Sequence, residues 1–165
     1  MANLSSLTKT THAKNQTSTS PEAETLTTLS KTLANEYFLM LKTQNFHWNV
    51  EGPMFFSLHK LFEEQYGQLG EFVDRTAEVI RAHDKKAPGT FREFSKLASM
   101  QEAASDQMSA SQMIDVLSKD HSLMAMTLKE ALIVAEEAND TNTVTLYEDL
   151  ITFHEKAAWM IRSHK

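Results

Sequence analysis

The 165-residue sequence predicts an all-α domain, and three observations predict it. Only 4 Gly and 3 Pro occur, too few for the many tight turns of a sandwich or barrel. The strong helix formers Ala, Leu, Met, Glu, Lys and Gln are plentiful. Apolar residues recur at steps of three and four over long stretches, which is the period of a helix face. A chain of this length buries roughly two thirds of its unfolded surface, so one domain with one core is expected.

Each element has its own signal. Ser20-Pro21-Glu22 supplies an N-cap, a proline at the first helical position and an acid in the first turn. Leu26, Leu29, Leu33, Tyr37 and Met40 carry that first helix to about Asn49, where Gly52-Pro53 stops it. Leu58, Leu61, Phe62, Leu69, Phe72, Val73, Ala77 and Ile80 form a second stripe, closed by the turn signal Pro88-Gly89. The two helices make an antiparallel pair. Phe91 to Met108 has only short patterning and reads as a long connection with a two-turn helix, so the next helix runs parallel to the second. Ser109-x-x-Gln112 is a capping box ahead of Ile114, Leu117, Met124, Leu128, Ala131 and Ala135. Asn139-Asp140 ends this third long helix and caps the last, which carries Tyr147, Leu150, Ile151, Ala158 and Ile161. Four long helices with one long crossover give a ferritin-like four-helix bundle with a short helix in the crossover.

Composition excludes several chemistries. Without cysteine there is no disulfide, no thiolate metal site and no cysteine nucleophile. The N-terminus lacks the apolar run of a signal peptide and no segment approaches a membrane span, so a cytoplasmic protein with no membrane partner is expected. A net charge of -6 disfavours nucleic-acid binding over a broad folded face. Residues 1–21 differ from the rest: they contain Lys9, His12 and Lys14 and no acid, and read as a flexible basic tail ahead of a domain over 22–165.

The residues that could carry chemistry are His47, His59, Asp74 and Glu78. Asp74 and Glu78 are four apart on the second helix, which puts both carboxylates on one face. Acids at that spacing are usually only solvated, and a lone histidine is usually structural. His47 and His59, however, flank one tight break, so the hairpin brings them to the same end of the bundle. Two imidazoles and two carboxylates suit a divalent first-row metal such as Fe(II). His59 and Asp74 lie fifteen residues apart on what reads as one unbroken helix, roughly 22 Å along its axis. If the four form a site, the histidines come from one subunit and the carboxylates from a neighbour, and a twofold contact makes two such sites. The sequence contains no Glu-x-x-His, so the intra-subunit di-iron arrangement is disfavoured.

The stretch "NFHWNVEGPMFFSLHKLFEEQYGQLGEFVDRTAEVIRAHDKKAPGT", with "HEKAAWMIRS" near the C-terminus, resembles the signature region of the Dps family, the dodecameric mini-ferritins. The steps of twelve, fifteen and four residues between His47, His59, Asp74 and Glu78 are those of the family's ferroxidase ligands. The resemblance implies a homo-oligomeric shell, a dodecamer, that binds iron between subunits, oxidises Fe(II) preferentially with hydrogen peroxide and stores ferric mineral, protecting against oxidative damage. It further implies that Trp48 stands beside the site and catches stray oxidising equivalents, packing against the next subunit being the other reading. Glu63 and Glu64 match acids that serve a second iron or mineral nucleation, although Lys60 stands where some relatives carry another acid. The acids around the expected threefold pore, Glu136, Glu137, Asp140, Glu148 and Asp149, depart from the family's pattern, with Val144 and Thr145 near a usual acid position.

Other readings compete. His121 and His154 fall on apolar stripes and could face each other, either as an internal metal site with Asp120 and Glu155 or as core histidines satisfied by hydrogen bonds. The alternative function is a DNA-binding, nucleoid-compacting protein whose tails bind phosphate weakly through Lys9 and Lys14, multiplied by assembly. A helical signalling bundle without metal would leave the His/Asp/Glu spacing unexplained.

Overall fold

The computed structural model describes residues 20–165. The tail expected over residues 1–21, with Lys9, His12 and Lys14, lies outside the described residues except for its last two positions. Five helices follow in order, with no strand among the described residues: α1 (Pro21–Asn49), α2 (Phe55–Ala82), α3 (Phe91–Leu97), α4 (Ala110–Glu137) and α5 (Thr141–Arg162).

The helix ends are chemically specified. Ser20 Oγ accepts the Ala23 amide at 3.3 Å with Pro21 directly behind it, as the sequence predicts. Ser109 and Gln112 close the expected reciprocal box at α4, and Asp140 accepts the Thr143 amide at 3.1 Å to start α5. Asn139, at φ 55, makes the left-handed residue that ends α4. α3 starts with a second reciprocal box that sequence reasoning passed over: Thr90 accepts the Glu93 amide, and the Glu93 carboxylate accepts back from the Thr90 amide at 3.0 Å.

Pairing of the helices closes a bundle. α1 packs on α2 and α4, α5 packs on α4 and α2, and α3 lies against α1. Thr28 meets Tyr147 and Glu36 meets His154, separations of 119 and 118 residues, and this near-constant offset means that α1 and α5 run parallel. Phe72–Phe153 and Arg75–Asp149 advance in opposite directions, so α2 and α5 are antiparallel and α4 is parallel to α2, the direction the crossover requires. Buried Asn35 pins the crossover to α1, its Oδ1 accepting the Ser99 and Met100 amides at 2.8 and 2.9 Å. The core is one cluster in which Leu29, Leu33, Leu58, Phe62, Leu69 and Leu117 are fully buried. Among the described residues no helix is long and apolar enough to cross a membrane.

Candidate metal centre

The α1–α2 break decides where the two histidines stand. α1 ends at Asn49, with the Val50 amide still bonded to Phe46 O at 2.9 Å, and Gly52 turns the chain at φ 98, a left-handed conformation that a side chain would strain. His47 therefore occupies the last turn of α1 and His59 the second turn of α2.

Their rings stack 3.8 Å apart at 19°. The hydrogen bonds are reciprocal: His47 Nδ1 lies 2.9 Å from the carbonyl oxygen of His59, and His59 Nδ1 lies 2.9 Å from the carbonyl oxygen of His47. A carbonyl can only accept, so each Nδ1 carries the proton and, in the neutral ring, each Nε2 carries the lone pair. That is the tautomer that binds a metal through Nε2, with the orienting partner already in place. Phe55 stacks on His59 at 4.9 Å and Tyr66 meets His47 edge-on at 5.3 Å, so aromatic rings fix both imidazoles from outside. Sequence reasoning did not single out Phe55 or Tyr66. Their one sequence signal is helical spacing, four residues before and seven after His59.

Glu63, half-buried one turn after His59, pairs with Lys60 at 2.6 Å. The Lys60 hydrogen bond and charge hold its carboxyl below the usual range, and the two nearby histidines add a smaller pull in the same direction. Glu64 is exposed and accepts from Gln68 at 3.2 Å. Trp48, beside His47, is 60% exposed.

Asp74 and Glu78 are elsewhere. α2 is continuous from Phe55 to Ala82, so the roughly 22 Å of helix between His59 and Asp74 is a fixed separation. Both carboxylates face outward, and Asp74 lines an open groove of about 730 Å³ with Tyr37, Met40, Gly70, Ala77 and Phe91. Among the described residues no three His, Asp or Glu side chains converge on a point where a metal could sit. One chain thus brings His47 and His59 together and keeps both away from Asp74 and Glu78.

The other candidates resolve individually. His121 and His154 do face each other, with Nδ1 atoms 2.8 Å apart, but their expected acid partners do not join them. Asp120 pairs with Lys42 at 2.7 Å and Glu155 with Lys129 at 2.6 Å; the acid that reaches the histidines is Glu36 of α1, 2.8 Å from His154 Nε2. Of the acids near the expected pore, Asp140 caps α5 and pairs with His83 at 2.9 Å, and Asp149 pairs with Arg75 at 2.6 Å. Glu136, Glu137 and Glu148 are exposed.

The chain is similar to known proteins over most of its length. Residues 26–164 match the model of the ferritin-like domain. The chain is 38% identical over 135 residues to DNA protection during starvation protein 2 of Bacillus anthracis, covering 82% of this chain and 92% of that one. The crystal structure of Dps from Staphylococcus aureus superposes with a TM-score of 0.82 at 34% identity, covering 92% and 97% of the two chains. That of the Vibrio cholerae protein, described as a member of a broad superfamily of ferritin-like diiron-carboxylate proteins, gives 0.81 at 27% identity over 94% and 98%. With its fold, its family model and these relatives in agreement, this chain belongs to the Dps family of ferritin-like proteins.

Proposed function

We propose that this protein oxidises and stores iron, at sites completed between subunits. The observation that carries the reading is the reciprocal histidine pair: two imidazoles with Nε2 open, held by each other's backbone, at one end of a helix whose exposed carboxylates lie roughly 22 Å away. His47 and His59 of one subunit and Asp74 and Glu78 of a neighbour make the donor set, and the Asp74 groove receives the partner's histidine end. Fe(II) is the substrate. Mixed imidazole and carboxylate donors suit it, and they leave coordination positions open for the oxidant.

Hydrogen peroxide is the preferred oxidant in this reading. Two Fe(II) ions each give one electron, the O–O bond breaks, and two protons complete the two water molecules, so no hydroxyl radical is released. Glu63 serves a second iron once it exchanges Lys60 for the metal, and Glu63 and Glu64 together seed mineral inside a dodecameric shell. Trp48, exposed beside His47, takes up stray oxidising equivalents. The product is a stored ferric solid, and the cell is protected from peroxide and free iron in one reaction.

The test is anaerobic Fe(II) loading followed by a stoichiometric pulse of peroxide, on the native protein and on His47→Ala with His59→Ala. Fast ferric absorbance in the native protein and its loss in the double variant is the expected result. Equal slow oxidation in both would overturn the proposal.

A further inference from the structure

Three titratable side chains are sealed inside the bundle, on three helices and apart from the candidate metal centre: Glu36 on α1, His121 on α4 and His154 on α5, all with no exposed surface. They form a chain. Glu36 Oε1 lies 2.8 Å from His154 Nε2, and His154 Nδ1 lies 2.8 Å from His121 Nδ1. A carboxylate accepts, so His154 Nε2 donates to Glu36. Between the two Nδ1 atoms there is room for one proton: two N–H groups would point hydrogen at hydrogen, and two lone pairs would repel. Both ends of the chain are open, since Glu36 Oε2 and His121 Nε2 are buried and have no hydrogen-bond partner among the described residues.

We propose that Glu36, His154 and His121 act as one buried proton-binding unit, which holds a single proton between the two imidazoles and destabilises the bundle when acid forces a second one onto them. Among the described residues no acid other than Glu36 meets either histidine. Asp120, next to His121, is taken by Lys42, and Glu155, next to His154, is taken by Lys129. From α5, Phe153 meets His121 and His154 edge-on at 5.8 and 5.1 Å, and α2 contributes Phe72 behind it. The buried α2 side chains Gln65 and Thr76 make no hydrogen bond to any of the three. An extra cation here would be enclosed by aromatic and aliphatic groups, where an unpaired charge is most costly.

The direction of the pH effect follows. Burial, and then the charge on His154, pushes His121 well below the ordinary histidine range. Below about pH 6.5 the unfolded chain therefore binds a proton at residue 121 that the folded chain refuses. The folding constant falls by about tenfold per pH unit from this group alone, and above that range the contribution is fully present.

The experiment is urea unfolding of the full chain between pH 8 and pH 5 at fixed protein concentration, comparing the native protein with His121→Asn. Asparagine places its amide group near the Nδ1 position, can hydrogen-bond His154 Nδ1 and cannot titrate. The expected result is that the native protein loses about tenfold per pH unit in folding constant relative to His121→Asn below pH 6.5. Parallel profiles would overturn the proposal. A second measurement needs no variant: with histidine labelled with carbon-13, one ring signal of the native protein should stay at its neutral position down to pH 5. Titration of all seven histidines of the folded chain above pH 6 would equally overturn it.

Discussion

His47 and His59 show how much of a site single residues can preset: each ring is aimed by the other's main chain, so neither depends on a third side chain for its tautomer. Elsewhere in the bundle, isolated polar residues carry stability in the same pairwise way. Tyr147 is fully buried and bonded to Thr28 at 3.0 Å, and burial pushes its phenol up to about 12. Its neutral form is favoured in the fold, so this contribution is whole below pH 10 and drains away as pH rises toward 12. Tyr147→Phe should cost about 1 kcal/mol at neutral pH and flatten the loss of stability in base, as followed by circular dichroism during urea titration. Lys42 is a sharper case, with only 3% of its side chain exposed against Asp120. Lys42→Met leaves a largely buried carboxylate alone and should cost about 3 kcal/mol, while adding Asp120→Leu should restore most of it, a cycle readable in the same titration.

At the scale of the element, most of the fold is written in helix ends. Ser109→Ala removes the acceptor for the Gln112 amide and should lower stability by about 1 kcal/mol without altering the bundle, measured by thermal unfolding. Ser20, Ser109 and Asp140 are all legible because each stands immediately before a long apolar stripe. Thr90-x-x-Glu93 carries the same signature, yet α3 is seven residues long and its stripe is too short to single the box out. Glu93 there accepts from Gly89, Thr90 and Lys86, which hold its carboxyl at about 2. The α3 cap should accordingly survive to pH 3 and fail only as pH falls through that value, visible as amide exchange confined to α3. Glu36 was legible in register and hidden in type: it follows Leu33 by three residues and precedes Met40 by four, on the buried stripe, but a carboxylate reads as surface. The orientation of His47 and His59 was beyond the sequence for a different reason. It rests on carbonyl directions at a turn, and those are set by the fold.

At the scale of the whole molecule, the separation along α2 makes the proposed chemistry a property of pairs of subunits. Co-assembly of equal amounts of a variant lacking His47 and His59 with one lacking Asp74 and Glu78 provides the test. Half of random twofold contacts are mixed, and each mixed contact rebuilds one of its two sites, so about a quarter of the native rate should return although each variant alone is inactive. No recovery in assemblies shown to be mixed would mean that Asp74 and Glu78 of a neighbour do not complete the histidine site. The bundle topology, the break and the separation of the histidines from Asp74 and Glu78 were all readable in advance, because periodicity and length determine them; how two copies meet is written on surfaces that periodicity does not describe. On this proposal α2 is a ruler between two halves of a reaction. In the proposed function a newly made chain holds half of each of two centres, so no centre is complete until two subunits meet. On that proposal, folding finishes before any subunit can turn ferrous ions and peroxide into ferric oxide.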